Sequence, residues 1–245
     1  MGGQLVPIGC KSIILRSESM RTCYVIQFDN PVTYANGLKL QKQAFDIVRS
    51  GRADGILLML QHSPVFTIGS NGGVENLLVQ PDVLSSMGIE ICYTSRGGNI
   101  TYHGPGQLVV YPIMNLNSFV KDTHWYLRQL ETAVIKSLEA FGLEGKRKEK
   151  YTGVWIGDNK IAAIGVHVKK WITMHGLSLN LHVNKEHFGL INPCGIVEFG
   201  VASLNEYCET VEDQMIINKV RDTFGDIFDM RLIQKDAFFL GEQIL

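Results

Sequence analysis

Four short segments of this chain hold residue types that do chemistry rather than packing. Arg96 to Gln107 reads R-G-G-N-I-T-Y-H-G-P-G-Q, with glycines at 97, 98, 104 and 106 beside one guanidinium and one imidazole. Glycines let a backbone turn tightly and approach a ligand, and Arg96 and His103 offer polar contacts to one end of it. Lys160 stands in G-D-N-K-I-A-A-I-G-V, His175 in W-I-T-M-H-G-L-S-L-N, and Cys194 in I-N-P-C-G-I. Pro193 and Gly195 flank the cysteine in a stretch with little apolar periodicity, a setting in which a rigid turn aims a reachable thiol.

A thiol reacts as its thiolate, and at an ordinary pKa of ~8.5 only a few per cent is ionised at pH 7. Something must help. His103, His175 and Lys160 adjoin glycine-rich or turn segments and are the candidate bases, whereas His62, His124, His167, His182 and His187 lack that context. An amine beside the sulfur forms a thiolate and ammonium pair that titrates as a unit. Taken singly, each residue has a plainer role, the cysteine in a core and the lysine as a solvated strand end. Metal binding fits poorly, because His175, His182 and His187 do not follow zinc-ligand spacing and no second cysteine is near. Phosphate-loop and dinucleotide fingerprints are absent in a suitable strand-to-helix setting, so nucleotide use is not expected.

The elements that must hold these residues follow from periodicity. Strands are expected at Cys23 to Phe28, Gly55 to Leu60, Val65 to Ile68, Ile89 to Tyr93, Leu108 to Ile113 and Met174 to Leu181. Val154 to Ile156 and Lys160 to Val168 flank a G-D-N turn as a hairpin, with Lys160 opening its second strand. Helices are expected over Tyr34 to Val48, with only Gln41 interrupting the apolar stripe, from Pro81 to about Gly88, and over Thr123 to Phe141 with Gly142 as the stop. Thr210 with Asp213 resembles a capping box for a last helix through Ile227, and 183 to 198 reads as irregular. This order is no regular β-α-β alternation and implies an α+β fold with a mixed sheet.

A chain of 245 residues, 45% hydrophobic, supports one substantial core and one domain over 20–245. Residues 1–19 conform to neither period and read as a leader, a transit peptide or an upstream start before Met20. A formal charge of −1 with dispersed Lys and Arg excludes an extended nucleic-acid face, and no apolar run approaches membrane-spanning length. The small cluster Lys146, Arg147, Lys148 and Lys150 is the exception in charge, expected to aid docking of an acidic partner. Five cysteines without a C-x-x-C pair or secretory signal suggest a reducing, cytoplasmic setting, or a mitochondrial or plastid one if the first segment is a transit peptide.

In one order, R-G-G-N-I-T-Y-H-G-P-G-Q, G-V-W-I with D-N-K-I-A-A-I-G-V, H-G-L-S-L-N and I-N-P-C-G-I resemble the lipoyl(octanoyl) transferases. With L-L-M-L-Q-H-S-P-V-F-T-I-G the similarity spans about 55 to 200 and continues weakly to Met20. The resemblance implies the fold of biotin and lipoate protein ligases, a mixed β-sheet flanked by helices. It implies transfer of octanoyl from octanoyl-acyl carrier protein to a lysine of lipoyl domains, such as those of 2-oxoacid dehydrogenase E2 subunits and the glycine cleavage H protein. No cofactor, metal, nucleic acid or membrane enters that reaction. By analogy Cys194 is the nucleophile and Lys160 the partner that lowers its pKa. Arg96, Gly97, Gly98, Asn99, Ile100, Thr101, Tyr102 and His103, then Ala163, Ile164 and Gly165, then Gly176, Leu177 and Ser178 match the segments lining the acyl site. Ser178 departs from the alanine common there. Rival readings are an ATP-dependent lipoate-protein ligase, a cysteine-dependent thioester hydrolase and a non-catalytic binding module.

Overall fold

A computed structural model describes residues 20–192, 200–208 and 210–241. The strands are β1 (Arg21–Gln27), β2 (Gly55–Leu60), β3 (Val65–Ile68), β4 (Glu90–Tyr93), β5 (Ile100–His103), β6 (Gln107–Met114), β7 (Lys146–Lys148), β8 (Tyr151–Ile156), β9 (Asn159–Lys169), β10 (Ile172–Asn180) and β11 (Met230–Gln234). The helices are α1 (Tyr34–Arg49), α2 (Pro81–Ser86), α3 (Thr123–Glu139), α4 (Lys185–Phe188) and α5 (Asp213–Phe228). Eight strands form one mixed sheet in the order β11-β1-β2-β6-β10-β9-β8-β7, and β4-β3-β5 form a second. The large sheet is parallel at β11-β1-β2 and antiparallel from β2 onward. An α+β fold with a mixed, helix-flanked sheet is what the sequence implied.

Alternation along the central strands sends side chains to two cores. Leu57, Met59, Leu108 and Val110 pack under α3 and α5 with Leu130, Val134, Val220 and Phe224. Ile56, Leu58, Val109 and Ile113 face α1 and its Leu40, Ala44 and Val48. Covering both faces explains why β2 and β6 are buried along their whole length and read as continuous apolar runs. Phe66, Ile100, Tyr102 and Phe188 form a third core beneath the small sheet.

Helix starts follow local hydrogen bonds in two cases and not in a third. The Thr33 hydroxyl accepts from Asn36 N ahead of α1, and the Asp122 carboxylate accepts from His124 N and Trp125 N ahead of α3. The expected Thr210 and Asp213 box does not form. Glu212 caps α5 without a side-chain bond, and the Asp213 carboxylate instead pairs with His182 Nε2 at 2.8 Å. The expected irregular stretch contains the single turn α4. Pro193 to Phe199, including Cys194, lies outside the described residues, as does the leader over 1–19.

Candidate active site

The glycine segment is a turn, a strand and a turn rather than one loop. Ile100 to His103 pair antiparallel with β3, because Ile, Thr and Tyr between the glycines favour a pleated, half-buried surface. Arg96 is only 8% exposed, and its guanidinium points into the protein: Nε donates to Thr67 Oγ1 at 3.0 Å, Nη2 to Thr67 O at 2.5 Å, and Nη1 to Gly97 O at 3.1 Å. It thereby clamps the turn to β3. The turn also lies directly on the large sheet, with Gly97 N donating to Val166 O at 2.9 Å. A Cβ at Gly165 would stand 2.7 Å from Gly97 O, so this approach demands glycine in β9.

Behind the turn sit three buried imidazoles. His103 Nδ1 donates to Gln107 Oε1 at 2.6 Å, Gln107 Nε2 donates to Asn180 Oδ1 at 2.8 Å, and Asn180 Nδ2 donates to Ala202 O at 2.9 Å. His62 donates from Nδ1 to Val32 O and accepts from Tyr111 at Nε2, both at 2.7 Å. Burial drives the His103 pKa down to about 3, helped by the neighbouring His62, and drives His62 to about 4. His175 also falls to about 3, through burial first and then the charge of Arg96. Both imidazoles are therefore held neutral and weakly basic near neutral pH.

His175 occupies an unusual backbone site, with φ of 57° in the middle of β10. Ladder pairing of β10 with β6 runs from Leu177 with Val110 to Asn180 with Gln107, and two residues further along stands Pro112, which has no N–H to offer. The Thr173 hydroxyl donates to Pro112 O at 2.6 Å and accepts from Met114 N at 2.8 Å. The His175 N–H donates to Gln41 Oε1 at 2.7 Å, which accounts for the one polar residue in the stripe of α1. Its Nε2 lies 3.2 Å from Ser95 Oγ, so the strained residue holds the start of the glycine turn.

Lys160 lies opposite Trp155 in the β8-β9 hairpin, and its Nζ sits 4.7 Å from the indole centroid. Its backbone also anchors the chain beyond Cys194: Lys160 N donates to Gly200 O at 2.9 Å, and Ala202 N donates to Lys160 O at 3.0 Å. Before Cys194, Asn192 N donates to Asn76 O at 2.9 Å. A cavity of about 610 Å³ joins these parts, within the size range of small-molecule sites. Lys160, Trp155, Gly200 and Val201 line it together with the glycine turn, His103 and His175.

The lipoyl protein ligase A/B catalytic domain matches residues 33–225. The chain belongs to that family. An octanoyltransferase of Clostridium kluyveri is 52% identical over 218 residues, covering 89% of this chain and 94% of the relative. One from Caldanaerobacter subterraneus subsp. tengcongensis is 47% identical over 206 residues, covering 84% and 90%. Among solved structures, lipoate-protein ligase A bound with ATP superposes with a TM-score of 0.71 at 19% identity, covering 91% of this chain and 92% of that one. The bipartite lipoate protein ligase of Thermoplasma acidophilum, from a study with its E2 lipoyl domain, gives 0.70 at 18%, covering 91% of each. At such identities the structures establish the shared fold.

In this member of the lipoyl protein ligase A/B family, Arg96 to Thr101, His103, Ala163 to Gly165 and Gly176 to Ser178 all border the cavity, brought together from three separate strands and a turn. Tyr102 does not: its ring packs against Phe66 and Phe188, and its hydroxyl bonds His187 Nδ1 at 2.8 Å. The basic cluster divides. Arg147 pairs with buried Glu131 at 2.8 Å, Lys146 with Glu144 at 3.0 Å and Lys148 with Asp158 at 2.7 Å, while exposed Lys150 borders the cavity. Sequence reasoning passed over Trp155, Tyr34 and Tyr111 at the cavity, gave Gln107 no role of its own, and set aside His62, which lies behind it. Their signal was available in kind: an indole directly across a hairpin from Lys160, and a proline within an apolar strand.

Proposed function

We propose that the chain carries octanoyl from the thioester of acyl carrier protein to a lysine of a lipoyl domain, holding it in between on Cys194. The family and its octanoyltransferase relatives make the protein an acyltransferase of lipoylation. The observation that carries the mechanism is the lysine at the wall of a largely apolar cavity, with its backbone bonded to Gly200 and Ala202, a few residues beyond Cys194 in the chain. The Cys194 thiolate attacks the octanoyl carbonyl, the carrier's carbon–sulfur bond breaks, and the departing thiolate takes a proton from the Lys160 ammonium. Thioester exchange keeps the acyl group activated without ATP.

The lipoyl-domain lysine then enters as a neutral amine and attacks the thioester on Cys194. Its surplus proton passes to Lys160, the bond to Cys194 breaks, and the thiolate and ammonium are restored. Gly97 and Gly98 add no side chains to the space for an acyl chain, and the buried imidazoles of His103 and His175 beside it are neutral. A mixture of enzyme, octanoyl carrier protein and the lipoyl domain of an E2 subunit or H protein tests this reading by mass spectrometry of the acceptor. Octanoyl on the acceptor lysine without ATP supports transfer. Free octanoate with an unmodified acceptor identifies a hydrolase, and an absolute need for ATP identifies a ligase.

A further inference from the structure

Trp155 is 1% exposed and borders the cavity, and two ammonium groups lie near its ring: Lys160 Nζ at 4.7 Å from the centroid and Lys148 Nζ at 4.9 Å. Lys148 pairs with the exposed Asp158 at 2.7 Å, which offsets part of its charge beside the second cation. Trp155 and Lys160 face each other in cross-strand register, where side chains on one face meet. Gly153, in the same strand with φ of +133°, lies beside the aliphatic stem, since a Cβ there would meet Lys160 Cδ and Cε at 3.5 Å. Tyr151 supports the indole at a ring separation of 6.2 Å. Hairpin register, a glycine and a held ring thus direct one flexible lysine side chain.

From this geometry we infer that Trp155 is a positioning residue for the acyl transfer, its indole face holding the Lys160 ammonium at the cavity wall. A ring face attracts a cation, and most strongly where water is excluded, so the contact favours the charged form of Lys160 and narrows where its nitrogen can go. The inference rests on the reading in which Lys160 gives and takes the proton. An aromatic ring that served only to fill space would not depend on the electron density of its face.

The test replaces Trp155 by fluorinated tryptophans carrying progressively more fluorine, in a Trp125→Phe, Trp171→Phe background of the full chain. Fluorination drains the ring face with little change of shape. The expected result is a graded fall in kcat reaching about tenfold at full fluorination, on the scale of a desolvated cation–π contact. KM should stay unchanged, and the alkaline limb of the pH profile should move to lower pH as the ammonium loses its support. Trp155→Phe should recover part of the rate relative to Trp155→Leu, with folding checked by circular dichroism. A kcat and pH profile indifferent to fluorination, in a protein where Lys160→Ala still removes activity, overturns the role of Trp155 alone. Full activity in Lys160→Ala overturns the underlying reading and this role with it.

Discussion

Mild acid should destabilise this protein through three imidazoles that the fold keeps neutral. An imidazole ordinarily titrates near 6.5, but burial lowers His62 to about 4 and His103 and His175 to about 3. Below pH 6.5 the unfolded chain takes up protons that the folded chain refuses, so stability is full above that pH and falls toward pH 3 to 4. At pH 5 the deficit is ~1.5 pH units for each group, or about 2 kcal/mol each and ~6 kcal/mol for the three. That is comparable with the whole stability of a typical domain, ~5 to 15 kcal/mol. Urea unfolding followed by circular dichroism from pH 8 to 5 avoids the range where most carboxylates protonate. Stability should fall by up to ~4 kcal/mol per pH unit between pH 6 and 5. His62→Gln, whose amide can still serve Val32 O and the Tyr111 hydroxyl, should reduce that slope by about one third. A flat profile, or a slope unchanged in His62→Gln, would refute the account of a desolvated polar wall.

Two further outcomes follow from individual contacts. Gly165→Ala places a Cβ 2.7 Å from Gly97 O, so the glycine turn must lift from the sheet. We expect a loss of about 1 to 3 kcal/mol in stability and up to ~100-fold in transfer rate, and wild-type behaviour in both would remove the close-approach argument. Lys150→Glu reverses a charge at the rim of the cavity that pairs with no carboxylate among the described residues. KM for an acidic carrier should rise several-fold at low salt with kcat held within about twofold, and the difference should shrink as salt screens it. An unchanged KM at low salt would dismiss a docking role.

Much of the fold was legible because period and punctuation agreed. β2 and β3 begin and end where the apolar runs do, and Gly142 stops α3 with a φ of +75°. β5 was hidden, since four glycines dominate the composition of its segment while Ile100, Thr101 and Tyr102 decide its conformation. β7 is three basic residues whose pairing depends on Trp155 and Glu131, contacts that no local pattern carries. β11 lay in a tail too short to show a period against α5. At the site, glycine spacing marked the cavity wall but could not say that Arg96 turns inward to Thr67. Nor could it show that His175 takes a positive φ inside β10 and gives its N–H to Gln41. Those facts depend on which strands become neighbours.

Intact-mass spectrometry of the enzyme after brief mixing with octanoyl carrier protein, followed by peptide mapping, tests the central claim most directly. The account predicts one added octanoyl group, located on Cys194, that disappears when a lipoyl domain is supplied and reappears on the domain's lysine. An octanoyl group on another residue would contradict it, as would transfer proceeding at full rate in Cys194→Ala.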